Sequence, residues 1–203
     1  MRKTEEYDVN IATGKAASSK YAGVKKFLNG FKDGSFSIFD FFEAAIAALI
    51  AIALLFIFCF RVFSVSGPSM KPTLQDKDRI VVTAVGYKAQ RGDIVVIAGT
   101  EADDGKPIIK RIIAVGGDKV DINFAKGVVT VNGTEEHYTD ELTKQQFDIA
   151  FPITVEEGTV FVLGDNRGHS IDSRSTRVGC VDEKNIVGKV LFRFFPIGNW
   201  TVE

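Results

Sequence analysis

The sequence contains little cysteine and little histidine, two residues of each among 203. Cys59 and Cys180 are far apart along the chain, and His137 and His169 do not cluster with them at the spacing that zinc ligands need. An excess of charge of one sign is also missing: the net charge is -1, which gives no reason to expect nucleic acid as a partner. A glycine loop that cradles phosphates and a carboxylate cluster are absent from the sequence as well. The sequence therefore predicts no disulfide framework, no metal site and no cofactor.

One long apolar run stands near the N-terminus. Residues 44–60 (AAIAALIAIALLFIFCF) carry no charge and would extend about 25 Å as a helix, enough to cross a bilayer together with the flanking apolar residues. No polar stripe at helical spacing interrupts the run, as it would in a helix packed on a soluble core. We therefore predict a single transmembrane helix rather than a buried core helix.

The basic residues before this run indicate its orientation. They are Arg2, Lys3, Lys15, Lys20, Lys25, Lys26 and Lys32. The positive-inside tendency places them in the cytoplasm and everything after Arg61 outside. A cleaved signal peptide is the alternative, but the leading segment is long for one and no Ala-x-Ala pattern follows the run. The expected location is the plasma membrane, with one span, a cytoplasmic N-terminus and an extracellular catalytic domain.

The chain is long enough for one well-buried domain plus an anchor. The predicted division is a cytoplasmic tail (residues 1–35), an interfacial segment with the transmembrane helix (36–63) and an extracytoplasmic β catalytic domain (64–203). Residues 36–42, rich in Phe, resemble an interfacial approach to the membrane.

Short segments rich in Val and Ile alternate with turn signals after the apolar run. They are RIVVT (79–83), DIVVIA (93–98), PIIKRIIAV (107–115), KVDI (119–122), GVVTVNG (127–133), TVFVLGD (159–165) and NIVGKVLFRF (185–194). This pattern is typical of an all-β domain. Asn132-Gly133 predicts a tight hairpin turn, and residues 140–149 are the best candidate for a helix. The predicted fold is mainly β, an antiparallel sheet or barrel-like catalytic domain preceded by a single N-terminal transmembrane helix.

Three segments carry residues suited to catalysis, and the first is SVSGPSMKPTL (64–74). Gly67 and two prolines would hold Ser69 rigidly. Rigidity is useful if a neighbouring base is to take the proton of the Ser69 hydroxyl, which is a weak nucleophile until then. Taken alone, the segment could equally be a turn without chemistry.

The second segment is the strand IIKRII (108–113). Because side chains alternate along a strand, Lys110 and Arg111 point to opposite faces, and at least one of them must be covered. Burial disfavours an ammonium, so a covered lysine can become a neutral amine that acts as a base near neutral pH, whereas arginine cannot. Taken alone, this could be a charged strand with solvated ends.

The third segment is the polar loop GDNRGHSIDSR (164–174). Asp172 and Arg174 can form a charge-assisted fork that fixes this loop. A solvated turn is one account of it, and a buried, fully hydrogen-bonded network is the other.

In this order and wording, the segments resemble the bacterial type I signal peptidases. The matching boxes are SGPSMKPTL (66–74), GDIVV (92–96), KRIIAVGGD (110–118) and GDNRGHSIDSR (164–174). The single span and the short stretch between the lysine box and the GDNR box are similar to the compact Gram-positive form. The resemblance implies a membrane-anchored serine endopeptidase that removes N-terminal signal peptides after a small-x-small motif through an acyl-enzyme.

The resemblance also implies roles for the matched residues. Ser69 would attack the scissile carbonyl, Lys110 would take the proton of Ser69, and Ser170 would hydrogen-bond Lys110 to aim it. The supporting residues would be Asp172, Arg174, Arg111 and Asp165.

Two further expectations concern contacts. Arg111, opposite Lys110, is placed to pair with Asp165 or Asp172. Some family members supply a serine hydroxyl two residues before the nucleophile, where this chain has Gly67. We therefore expect the oxyanion hole to use the backbone N–H of Ser69 together with the Gly67 N–H or a water.

The partners implied are secretory preproteins, membrane lipid and the protein export machinery. A preprotein would add its cleavage stretch as a strand to an exposed sheet edge. One rival is a sortase-like transpeptidase that uses Cys180 with His137 or His169, and a second is a catalytically silent membrane protein that binds precursors. Self-cleaving repressors share a Ser/Lys dyad, but they carry a DNA-binding helix-turn-helix where this chain has an apolar run.

Overall fold

The computed structural model describes residues 37–98, 105–198 and 200–202. The described residues divide into two compact units, one that ends at Leu55 and one that begins at Phe56. The predicted cytoplasmic tail, residues 1–35, lies outside the described residues, and the predicted three-part division of the chain stays a prediction.

Helix α1 (Ile38–Cys59) is 22 residues long and has no buried residue. Ser37 caps it: the Phe39 N–H donates to the Ser37 hydroxyl, and the Asp40 carboxylate accepts from the Ser37 N–H. Among the described residues it is the one helix long and apolar enough to cross a membrane. It ends before residue 63, the predicted end of the membrane segment, because the chain from Phe60 pairs with a strand instead.

Eleven strands and one short 3-10 helix (Glu183–Asn185) follow α1 in the described residues. The strands are β1 (Phe60–Ser64), β2 (Arg79–Thr83), β3 (Ile94–Ile97), β4 (Ile108–Val115), β5 (Lys119–Asn123), β6 (Val128–Val131), β7 (Thr134–Glu135), β8 (Ile153–Thr154), β9 (Thr159–Leu163), β10 (Val181–Asp182) and β11 (Ile186–Phe195). Each of the seven predicted segments contains a strand. The sequence pattern missed β7, β8 and β10, which are two residues long and show no alternation, and β1, which continues the apolar run.

The strands form a seven-stranded sheet in the order β1-β2-β11-β3-β4-β9-β10 and a four-stranded sheet in the order β7-β6-β5-β8. All recorded pairings are antiparallel. Three strands separate β1 from β4 in the larger sheet, yet Ser69, which follows β1 closely, touches Lys110 on β4. The larger sheet therefore curls into a half-barrel. The predicted fold class, antiparallel β with one N-terminal apolar helix, is confirmed.

Two of the strand edges without a partner in the described part of the larger sheet lie close to Ser69 and Lys110 in the chain. Strand β1 lies at the end of the sheet order and pairs only with β2 among the described strands. Strand β4 pairs with β3 along Ile108–Arg111, whereas its pairing with β9 begins only at Arg111. On the side away from β3, Ile108 and Ile109 therefore have no strand partner among the described strands, and they lie next to Lys110 in β4.

The segment after β1 is anchored in a hydrophobic cluster inside the curl. Val65, Met70 and Leu74 are at most 4% exposed and pack with residues of four strands: Ile80, Val82, Ile94, Val96, Ile109 and Val190. A second cluster joins the two sheets; it contains Ile113, Val120, Ile122, Val129, Val131, Val155, Phe161 and Leu163. Burial of apolar side chains at about 25 cal/mol per Å² stabilises both the curl and the segment that carries Ser69.

The hairpin prediction is confirmed and the helix prediction is wrong. Asn132 (φ 54°) and Gly133 (φ 82°) connect β6 to β7, as a turn with two left-handed residues requires. Residues 140–149 form no helix. Their polar groups are used elsewhere: the Thr143 hydroxyl accepts from Arg167 and the Gln145 carbonyl accepts from Arg174.

Candidate active site

Ser69 lies in a loop that is closed at its base and pinned inside. The Val65 N–H donates to the Asp78 carbonyl, and the Lys77 N–H donates to the Val65 carbonyl, both at 2.8–2.9 Å. Gly67 adopts φ +85°, a conformation that other residues rarely reach. This arrangement leaves Ser69 partly exposed between Pro68 and the fully buried Met70, so the serine hydroxyl is held in place and accessible.

Lys110 on β4 reaches this hydroxyl. Its Nζ lies 2.9 Å from Ser69 Oγ, and the residue is 3% exposed. Its neighbour Arg111 is 4% exposed, so both faces of the strand are covered here. The structure therefore brings together the two residues of the predicted dyad from positions 41 residues apart.

Arg111 forms a bidentate ion pair with Asp165. Its Nε and Nη2 donate to the two carboxylate oxygens at 2.9 and 2.8 Å, and its Nη1 donates to the Gly92 carbonyl at 2.9 Å. The Thr73 hydroxyl donates to the same carboxylate at 2.6 Å. Asp165 thus joins strand β4 to the loop that carries Ser69, and of the two predicted partners of Arg111 it is the one that pairs.

Asp172 and Arg174 form a second bidentate pair, and both side chains are fully buried. Asp172 also accepts the Gly164 N–H. The remaining Arg174 N–H groups donate to the carbonyls of Arg167, Ser170 and Gln145. A buried charge is tolerated only when it is paired and hydrogen-bonded. The polar loop 164–174 is therefore the buried network, and the solvated-turn account is wrong.

Comparison with known proteins shows which family this chain belongs to. The family model described as signal peptidase, peptidase S26, matches residues 38–195. The chain belongs to this signal peptidase family. Similar proteins are signal peptidase I of Bacillus licheniformis, 35% identical over 170 residues (79% of this chain, 90% of that protein), and signal peptidase IB of Staphylococcus aureus (strain COL), 35% identical over 184 residues (79% and 93%).

The chain is also similar to the crystal structure of a signal peptidase I from Enterococcus faecalis V583, with 31% identity, a TM-score of 0.42 and coverage of 52% of this chain and 97% of that one. The resemblance predicted from the four boxes is thus confirmed by the family model and the curated relatives. This signal peptidase is a serine endopeptidase that removes signal peptides, and α1 is suited to anchor it in a membrane.

Two expected contacts of the signal peptidase site have different outcomes. The Gly67 N–H donates to Asp76 Oδ1 at 3.0 Å, which favours a water over the Gly67 N–H as the second oxyanion donor. The Ser170 hydroxyl is buried and forms no hydrogen bond to any described residue, so the predicted bond to Lys110 is not made. Ser170 packs on Gly164 instead: a Cβ added to Gly164 would lie 2.2 Å from Ser170 Oγ and 2.5 Å from the Ser69 carbonyl oxygen.

The structure also shows functional neighbours that the motif did not single out. Thr73 belongs to the PTL part of the nucleophile box, and Arg167 to the GDNR box, but nothing in their spacing says that they are held by Asp165 and Glu136. Only the folded backbone brings these groups within reach.

Cys180, the nucleophile of the rival sortase-like mechanism, is in an unsuitable environment. Cys180 is exposed at the surface, yet partial burial of its thiol raises the pKa, and the negative charge of Glu156 raises it further. A nucleophilic cysteine needs the opposite shift, toward the thiolate. Among the described residues no group of three or more His, Cys, Asp and Glu is arranged to hold a metal ion.

Proposed function

We propose that this signal peptidase cleaves secretory preproteins with Ser69 as the nucleophile and Lys110 as the general base. The observation that carries the proposal is the 2.9 Å separation of Lys110 Nζ and Ser69 Oγ, with the lysine almost completely buried. Burial disfavours the charged form of an amine, and a neutral amine at hydrogen-bond distance is able to take the hydroxyl proton.

The reaction then proceeds by acyl transfer. Ser69 Oγ forms a bond to the scissile carbonyl carbon as its proton moves to Lys110 Nζ. The carbon–nitrogen bond of the substrate breaks, and the Lys110 ammonium gives that proton to the leaving amine. In the second half, Lys110 takes a proton from a water molecule, whose oxygen bonds to the acyl carbon. The bond from that carbon to Ser69 Oγ then breaks, the Lys110 ammonium returns the proton to Ser69 Oγ, and the signal peptide is released with a free carboxylate.

The negative charge that develops on the carbonyl oxygen needs hydrogen-bond donors. The Ser69 N–H forms no hydrogen bond with the described residues, so it is free to donate to this oxygen. Backbone donors of this kind stabilise the tetrahedral intermediate more than the bound substrate. We assign the Ser69 N–H to the oxyanion hole, with a water as the second donor.

Open strand edges support the mode of substrate binding. The β4 edge at Ile108 and Ile109, next to Lys110, has no strand partner on one side among the described strands, and the edge of β1 leads into the Ser69 loop. An extended peptide that adds to such an edge gains backbone hydrogen bonds and presents alternate side chains to pockets. Small residues at the first and third positions before the cut would suit shallow pockets there.

The two buried ion pairs are proposed as supports of the dyad. Arg111 and Asp165 connect β4 to the nucleophile loop through Thr73, whereas Asp172 and Arg174 fix the loop that carries Ser170. Through these contacts the two pairs hold the strand that carries Lys110 and the loops that carry Ser69 and Ser170.

The proposal extends to location. We propose that α1 spans the plasma membrane with residues 1–35 in the cytoplasm and the β domain outside, in contact with membrane lipid and the export machinery. The charged residues before α1 and its exposed apolar surface support this orientation.

The test is cleavage of a precursor with an Ala-x-Ala motif after an apolar segment, by the full-length protein in detergent. Ser69→Ala and Lys110→Met should each lose at least about 10³-fold in activity, with thermal unfolding close to wild type. Cys180→Ala is the matched control and should cleave normally. Wild-type activity should rise with pH as the amine deprotonates. Cleavage by Ser69→Ala at the wild-type rate would sink the proposal.

A further inference from the structure

Asn166 lies in the GDNR box and has no part in the mechanism described so far. It is partly buried between the buried residues Asp165 and Arg167. Its side-chain Nδ2 donates to the Pro68 carbonyl at 3.1 Å, and its backbone N–H donates to the Ser69 carbonyl at 3.0 Å. The two carbonyls on either side of the nucleophile are thus both held by one residue.

The hydrogen bond from Asn166 Nδ2 to the Pro68 carbonyl also orients the Ser69 N–H. The Pro68 carbonyl and the Ser69 N–H belong to one peptide unit, which is trans, since it is not among the cis bonds of the chain. In a planar trans peptide the C=O and N–H groups point in opposite directions. When Asn166 draws the Pro68 carbonyl toward the polar loop, the Ser69 N–H is turned to the opposite side.

A second donor to the same carbonyl does not replace Asn166. The Lys71 N–H also donates to the Pro68 carbonyl, at 3.1 Å, and a carbonyl oxygen has two lone pairs. The Lys71 bond is internal to the turn, so it moves with the turn. Asn166 comes from a separate loop, which the buried Arg111–Asp165 ion pair attaches to β4, and therefore fixes the peptide relative to β4 and Lys110.

The orientation of the Asn166 amide is itself determined. The Pro68 carbonyl only accepts, so the amide group that faces it is the Nδ2 donor, and Oδ1 then lies 3.2 Å from His169 Nδ1. A reversed amide would place two acceptors, Oδ1 and the Pro68 carbonyl, against each other.

We infer that Asn166 is a positioning residue that aims the Ser69 N–H at the carbonyl oxygen of the scissile peptide. The inference rests on the proposed dyad mechanism and assigns to Asn166 the alignment of its oxyanion donor. Such a donor acts on charge that exists only in the tetrahedral intermediate. Loss of the Asn166 side chain should therefore lower kcat and leave KM nearly unchanged.

The experiment uses the full-length protein in detergent with the same Ala-x-Ala precursor. Asn166→Ala removes the donor, and Asn166→Asp keeps the size of the side chain but offers an oxygen that accepts, so the second variant covers the case in which the first does not fold. The matched control is Asn185→Ala, at an exposed asparagine of the 3-10 helix. We measure kcat, KM, the pH profile of Asn166→Ala and the affinity for a peptide aldehyde that forms a tetrahedral adduct with Ser69.

The expected result is a fall in kcat of about 10- to 30-fold for both variants, below the 10²- to 10³-fold that loss of a whole donor costs. KM should stay within about twofold, the pH profile of Asn166→Ala should keep its midpoint, and aldehyde affinity should fall in proportion to kcat. Asn185→Ala should match wild type.

An unchanged kcat, or a loss that appears only in KM, would overturn the inference. A displaced pH midpoint for Asn166→Ala would also overturn it, because the amide would then act through Lys110. These outcomes differ from failure of the dyad. If Ser69→Ala still cleaves, the proposed function itself falls; if Ser69→Ala is inactive and Asn166→Ala is normal, only the role of Asn166 falls.

Discussion

Helix α1 and the β unit differ in which side chains they expose and which they bury. The helix exposes nearly all of its large apolar side chains, for example Phe39 at 79% and Phe58 at 81%. The β unit buries ionisable side chains, with Lys110 at 3%, Arg167 at 2% and Arg174 at 0% exposed. Both regions depart from the usual rule that apolar groups lie inside and charges outside.

The difference shows that the two regions are suited to different environments, the helix to lipid and the β unit to a protein interior that supplies polar partners. The helix satisfies its own backbone hydrogen bonds, so its apolar side chains suit a lipid environment. A buried charge is stable only if other groups in the protein supply partners, and Arg111, Arg167 and Arg174 each have a carboxylate within hydrogen-bond distance. Substitutions that remove the ion-pair partner of a buried charge in the β unit, or that add an unpaired charge to α1, should therefore test this difference.

The largest effect on stability is expected at the Asp172–Arg174 pair. Arg174→Met leaves the fully buried Asp172 without its charge partner, and breaking such a pair costs about 3–5 kcal/mol in the free energy of unfolding. Denaturant unfolding of the full-length protein measures it. The control is Lys184→Met, which breaks the exposed pair with Asp182 and should cost at most about 1 kcal/mol. Equal losses in the two variants would contradict the contrast between buried and exposed charges.

The converse change adds a charge to α1. Leu49 is 66% exposed near the middle of the helix, and a lysine at the centre of a membrane span costs about 2.5–3.5 kcal/mol. Leu49→Lys should lower the fraction of full-length protein recovered with membranes, while Leu49→Val should not. If both variants partition like wild type, α1 is not a membrane span.

A smaller loss of stability is expected from a larger side chain at Gly164, which packs against Ser170 and the Ser69 backbone. Gly164→Ala would place a Cβ 2.2–2.5 Å from Ser170 Oγ and from the Ser69 carbonyl oxygen, and overpacking of this kind costs about 1–3 kcal/mol. Cleavage should fall about tenfold or more because Ser69 must shift. Gly168→Ala, in the same loop, meets nothing within 4 Å and should keep full activity. Normal cleavage by Gly164→Ala would show that Ser69 tolerates displacement.

The smallest effect concerns acid stability. Burial alone would raise the pKa of Asp118, but hydrogen bonds from Arg91, the Val115 N–H and Asn132 outweigh it and hold the pKa below its usual value. A depressed folded-state pKa contributes stability that is present above the unfolded value, about 3.9, and is lost as pH falls through the folded one. Arg91→Met should therefore move the acid-unfolding midpoint to higher pH, below about pH 4, as followed by circular dichroism. A midpoint that stays in place would show that Arg91 contributes nothing to this shift.

Much of the fold was predictable because its signals are local. Alternating β-branched residues between turn formers identified the seven strand segments, and Asn132-Gly133 identified a hairpin. Residues 140–149 misled because their composition suits a helix, while their hydrogen bonds go to buried arginines of another loop. A sequence does not show where such distant donors lie.

The candidate site likewise has features that the sequence predicts and features that only the tertiary structure shows. The sequence by itself identified Ser69, Lys110 and the polar loop, since residue type decides which group can attack, accept a proton or form an ion pair. Only the tertiary structure decided that Arg111 pairs with Asp165, that the Gly67 N–H is held by Asp76, and that the Ser170 hydroxyl has no bond to Lys110. Hydrogen bonds depend on distances of a few tenths of an ångström between groups far apart in the chain, and the curl of the sheet sets those distances.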